Sequence, residues 1–188
     1  MTTIRLSCWI VRKIYIYRLL QVGITLLNEN KTAEELNIIS NSPDDTMSLG
    51  RKIGKLAMPG DIFLLTGILG AGKTCLTQGI AYGLGINEYT LSPSFVLVRE
   101  LYGRLTLYHM DLYRLDDIQE IADLGLDDYL YGKGVCVIEW ANKGMPLFPE
   151  EHLSANIIYK GDYERQIILE AYGQRYRELL DKIRKQTE

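Results

Sequence analysis

At 188 residues the chain suits one domain that can bury its own core without disulfide or metal staples. Hydrophobic residues make up 47% and charged residues 24%, and the formal net charge is −3, so no overall positive field draws the chain to nucleic acid. Cys8, Cys75 and Cys136 are odd in number and lack CxxC spacing; they read as reduced cytosolic thiols, not a disulfide frame or a zinc site.

The first thirty residues differ from the rest. Arg5, Arg12, Lys13 and Arg18 carry positive charge, and no acidic residue appears before Glu29. The apolar stretch "IYIYRLLQVGITLL" is too interrupted by Arg12, Lys13 and Arg18 to read as a membrane span. No small-residue cleavage site follows it, which argues against a secretory signal. An organellar transit peptide shares this basic, acid-free character, but the preferred reading is an extension (1–30) ahead of a domain at 31–188.

Within the domain, "LNIIS" (36–40) reads as a strand. Ser42 then serves as N-cap, Pro43 as first helical residue, and Asp44 and Asp45 as first-turn acids. Leu49, Ile53, Leu56 and Ala57 recur on one helical face. "IFLLT" (62–66) is a continuous apolar run, the pattern of a central strand covered on both sides. A helix is expected from about Gly72 to Tyr82.

"FVLVRELYGRLTLYHMDLY" reads as two strands around Tyr102-Gly103, and "DDIQEIADLGLDDYL" as helix with a break near Gly125. "GVCVIEW" (134–140) is a second buried strand ending in an acid. A further hairpin is expected around Lys160–Asp162, followed by a terminal helix with Leu179, Leu180 and Ile183 facing inward. The class is α/β: a mixed sheet flanked by helices, in a single domain.

The chemistry concentrates between strand and helix. Gly67-Ile68-Leu69-Gly70-Ala71-Gly72-Lys73-Thr74 satisfies G-x-x-x-x-G-K-[ST], a P-loop. Glycines let successive N–H groups, those of Leu69, Gly70 and Ala71 among them, converge on phosphate oxygens at the positive end of the next helix. Lys73 is placed to reach the outer phosphates, and the Thr74 hydroxyl to take one Mg²⁺ position. Mg²⁺ also calls for a carboxylate from a neighbouring strand; Glu139 is the first candidate and Asp111 the second. His109 reads as a strand residue that packs against or supports this site, since only one other histidine exists. Ile68 is an oddity, a β-branched apolar residue inside a phosphate loop.

"ANKGM" stops short of the guanine-reading N-K-x-D, with Met145 where the aspartate belongs, and no D-x-x-G occurs. ATP is therefore the expected nucleotide. A P-loop kinase of a small metabolite or nucleoside, with Asp111 as base, and a binding module that does not hydrolyse stay open on these residues alone.

With "NSPDDT", "PGD", "TGILGAGKT", "LSPSFVLV", "YHMDLYRL" and "LGLDDYL…GVCVIEW" in order, the chain closely resembles the bacterial TsaE family over about 36–175. The resemblance implies a cytoplasmic ATPase of tRNA threonylcarbamoyladenosine biosynthesis. Such a protein acts with TsaB and TsaD, resets that pair between turnovers, and meets tRNA only through the complex. It implies that "SPSF" (92–95) and "HMDLYR" (109–114) are switch segments. Thr74 and Glu139 match magnesium-binding positions, Asp111 a residue needed for hydrolysis, and Asp45 the vicinity of the nucleotide base. Lys73, Asp111 and Glu139 are thus the expected catalytic residues. The family's pattern departs at Ile68, commonly acidic there, and at Cys75, frequently threonine.

Overall fold

The structure, a computed structural model, describes residues 33–88 and 98–186. The extension 1–30 and the segment "SPSF" lie outside the described residues. Strands β1 (Glu34–Ser40), β2 (Ile62–Thr66), β3 (Val98–Leu101), β4 (Leu107–Asp111), β5 (Val135–Glu139), β6 (His152–Tyr159) and β7 (Arg165–Tyr172) form one sheet in the order β1-β7-β6-β2-β5-β4-β3. Its middle, β6-β2-β5-β4, is parallel, and both margins are antiparallel. The sheet is mixed, as expected.

Burial follows from the strand period of two. In β2, Phe63 and Leu65 face one core while Ile62 and Leu64 face the other; in β5, Val135 and Val137 are opposed by Cys136 and Ile138. Helices α1 (Pro43–Leu56), α2 (Lys73–Gly83) and α5 (Gln174–Arg184) cover the first face through Leu49, Ile53, Leu76, Ile80, Leu179 and Ile183. The short helices α3 (Ile118–Asp123) and α4 (Asp127–Leu130) cover the second through Ile121 and Leu130. Only strands covered twice can read as unbroken apolar runs. In β7 the burial alternates, because one of its faces is open.

Local signals set the element ends. The Ser42 side chain accepts from Asp45 N at 3.1 Å, capping α1, and Pro43 opens the helix. Gly125, at φ 64°, turns the chain between α3 and α4. α1 and α2 lie backbone to backbone along a seam of small residues. A Cβ on Gly50 would stand 2.3 Å from Leu76 O and one on Gly54 2.2 Å from Ile80 O. One on Gly79 would stand 2.2 Å from Met47 O, and one on Gly83 2.4 Å from Arg51 O. The seam carries the start of α1 up against the first turn of α2, where Cys75 Sγ donates to Pro43 O at 3.2 Å. Among the described residues no helix is long and apolar enough to cross a membrane.

Candidate functional site

The site lies where the parallel strands end. β2 runs into Gly67, whose φ of 140° and whose approach to Ile157 O (2.5 Å from a would-be Cβ) both demand glycine. The loop ends on Gly72, left-handed at φ 112°, which starts α2 without any side-chain cap. Nothing lies within 4 Å of a Cβ at Gly70 or Gly72, so this face of the loop is open at the N-terminus of α2. Backbone N–H groups at a helix N-terminus with open space before them suit an anion. Ile68 and Leu69 point outward, 63% and 71% exposed, so the apolar side chain at 68 sits clear of the cradle.

Lys73 is buried. Its ammonium donates to Gly67 O at 2.7 Å and Ile68 O at 2.9 Å and lies 3.8 Å from the centre of the Trp140 ring. Burial lowers its pKa, opposed by the negative charges of Glu139 and Asp111. Trp140 adopts φ 59°, a left-handed conformation uncommon outside glycine, at the turn that ends β5. The indole there meets Lys73 on one side and the Tyr113 ring, 4.8 Å away, on the other.

Glu139, 2% exposed, is the hub of the acids. Thr74 Oγ1 donates to its Oε2 at 2.9 Å, and Thr77 Oγ1 approaches its Oε1 at 3.2 Å. His109 Nε2 lies 2.8 Å from the same Oε1 and donates to it, since a carboxylate only accepts. His109 is fully buried, and its Nδ1 has no hydrogen-bond partner among the described residues. Parallel pairing of β4 with β5 sets Asp111 opposite Glu139. The buried Asp111 accepts from Tyr113 N at 2.9 Å.

Lys73, Thr74, Asp111, Glu139 and the loop glycines 70 and 72 therefore border one cavity of about 360 Å³, joined there by Arg114 and Trp140. Asp45 lies at the start of α1. Its carboxylate accepts from Asn41 N at 2.9 Å, it is solvent-exposed, and it lines neither this cavity nor its neighbour. Ser42, Pro43 and Thr46 of the same turn instead line the neighbouring cavity of about 180 Å³ beside Ala71. The opposite wall holds Tyr163 and Arg165, whose Nε donates to Ala71 O at 2.9 Å. Sequence reading missed this wall: Arg165 is remote in the chain, and only the return of β7 beside β6 brings it to the loop. Burial, aided by Asp44 and opposed by Arg165, raises the Cys75 thiol above its usual range.

An all-oxygen pair of a hydroxyl and a carboxylate, Thr74 and Glu139, fits a hard cation that keeps most of its own water. A buried lysine beside an open turn of N–H groups fits the phosphates such a cation accompanies.

Comparison with known proteins gives the family of the chain. Residues 40–167 match the family model described as threonylcarbamoyl adenosine biosynthesis protein TsaE. A Bacillus subtilis tRNA threonylcarbamoyladenosine biosynthesis protein TsaE is 44% identical over 143 residues, spanning 76% of this chain and 89% of that protein. Its Treponema pallidum counterpart is 42% identical over 132 residues, 70% of this chain and 98% of the other. In three dimensions the crystal structure of Bacillus subtilis YdiB superposes with a TM-score of 0.75 at 37% identity, covering 85% of this chain and all of that one. With the family's sequence pattern and fold both present, the chain belongs to the TsaE family.

Proposed function

We propose that this TsaE-family protein binds ATP with Mg²⁺ and hydrolyses it in the service of tRNA threonylcarbamoyladenosine biosynthesis, resetting TsaB–TsaD between turnovers in the cytoplasm. One observation carries the nucleotide reading: Lys73 and Thr74 open α2 behind an uncapped glycine turn, and Glu139 reaches Thr74 from the adjacent strand at 2.9 Å. The loop N–H groups and Lys73 hold the β- and γ-phosphates; Thr74 and Glu139 hold the cation, which when bound offsets phosphate charge. Asp111, fixed by the Tyr113 N–H, orients the attacking water, and Arg114 at the cavity rim supplies positive charge to the developing anion. His109 and Thr77 hold the Glu139 carboxylate in place.

The second cavity, between the α1 start and Tyr163, suits the base; Ser42, Thr46, Asp162 and Arg165 bring polar groups to it. Steady-state phosphate release with and without TsaB–TsaD tests the whole reading. Slow hydrolysis alone and at least several-fold stimulation are expected. No stimulation, or transfer of phosphate to a small acceptor, would reject it.

A further inference from the structure

The turn after β4 carries Tyr113 and Arg114 at the rim of the larger cavity. Leu112 is buried and Leu115 partly so, while Tyr113, Arg114, Asp116 and Asp117 face solvent. Its backbone closes with Leu115 N to Leu112 O at 3.1 Å and ties to β5 through Leu112 N to Glu139 O at 3.2 Å. A further tether comes from "ANKGM", the stretch that imitates a guanine reader.

Lys143 ends the short 3-10 turn Ala141–Lys143 that follows Trp140. Its ammonium donates to Tyr113 O, to Leu115 O at 2.8 Å and to Asp116 Oδ1 at 3.2 Å, and lies 5.7 Å from the Tyr113 ring centre. An ammonium has three protons to give, and all three go to acceptors within four consecutive residues. The side chain is 24% exposed, so the bonds are partly shielded from water. Tyr113 in turn stacks on Trp140, which faces Lys73. The chain of contacts runs from Lys143 through the turn to the phosphate lysine.

We infer that Lys143 is a latch: a positioning residue that holds the 112–116 turn against the end of β5 and thereby aims Asp111 and Arg114 at the cavity. The catalytic consequence rests on the ATPase reading above; the latch itself does not. Lys143→Met keeps the aliphatic stem and removes all three donors, and Lys143→Arg restores charge and donors. Neither touches the phosphate loop.

Hydrogen exchange on the full chain is the first readout. Lys143→Met should speed exchange of the 113–117 amides about tenfold or more while β2 and β5 stay protected, because three charge-assisted bonds add to the backbone bonds that close that segment. Stimulated phosphate release should then lose kcat several-fold with KM for Mg-ATP within about twofold, as for an interaction that matters after binding. Lys143→Arg should recover most of both effects. Unchanged exchange at 113–117, or Lys143→Arg behaving like Lys143→Met, overturns the latch. If the wild-type protein shows no stimulated turnover, the ATPase reading fails and the exchange result still decides the latch.

Discussion

Two buried acids stand at opposite ends of the sheet and lead different lives. At the lower end Asp61 faces Arg175, whose Nε and Nη2 donate at 3.0 and 2.6 Å, and Met58 N adds a third bond at 2.8 Å. Tyr176 completes that end by accepting from Ile62 N at 2.8 Å. Every charge there meets its opposite, and α5 is fastened to the start of β2. At the upper end Glu139 is held by hydroxyls and a histidine, while the nearest lysine spends its protons on loop carbonyls. A bidentate pair that satisfies itself is a rivet. An acid and a cation kept apart beside an open cavity are the pattern of a functional site.

The two ends should therefore respond to mutation in opposite ways. Asp61→Ala strands a guanidinium and should cost about 3 kcal/mol of stability, the low end for a broken buried pair because Arg175 keeps some contact with water. Urea denaturation reads that loss, and Mg-ATP affinity of the folded protein should be unchanged. Lys73→Ala should do the reverse: affinity for Mg-ATP by isothermal titration falls about a hundredfold, with stability within about 1 kcal/mol of the parent. Equal affinity would erase the contrast between the two ends.

Glu139→Gln keeps the shape of the hub and removes its charge. The Mg²⁺ concentration needed for half-maximal nucleotide binding should rise about tenfold, followed by Trp140 fluorescence, whereas Asp111→Asn should leave it within about twofold. Tyr176→Phe is the mildest test. It leaves Ile62 N–H unpaired and should cost about 1 kcal/mol in urea, with no change in nucleotide binding.

The sequence carried the parts of this contrast that are local. A strand running into glycines, a capped helix start and an acid closing an apolar run are all written in consecutive residues, and β2, α1, α2 and β5 lie where those signals put them. Sequence spacing does not reveal that β2 sits between β6 and β5, so the pairing of Arg175 with Asp61 and the reach of Arg165 to Ala71 were invisible. Trp140 gave no sign of its left-handed backbone, because the residue type disfavours it. Asp45 caps the α1 start through Asn41 N, in the same turn as the Ser42 and Thr46 that line the smaller cavity, a placement that a sequence pattern alone does not resolve to the side chain.

The glycine seam between α1 and α2 has a consequence for mutational surveys of this protein. Gly50, Gly54, Gly79 and Gly83 touch no phosphate, yet any side chain there would collide with a facing carbonyl and prise the helix that begins at Lys73 away from its neighbour. In a scan scored on function they would tolerate as little as Lys73 does, whereas the outward-facing Ile68, inside the motif itself, would accept many replacements. A heat map of intolerance for this fold would trace a stripe of bare backbone along two helices, and a reader who took that stripe for a binding surface would be looking at a hinge with no play in it.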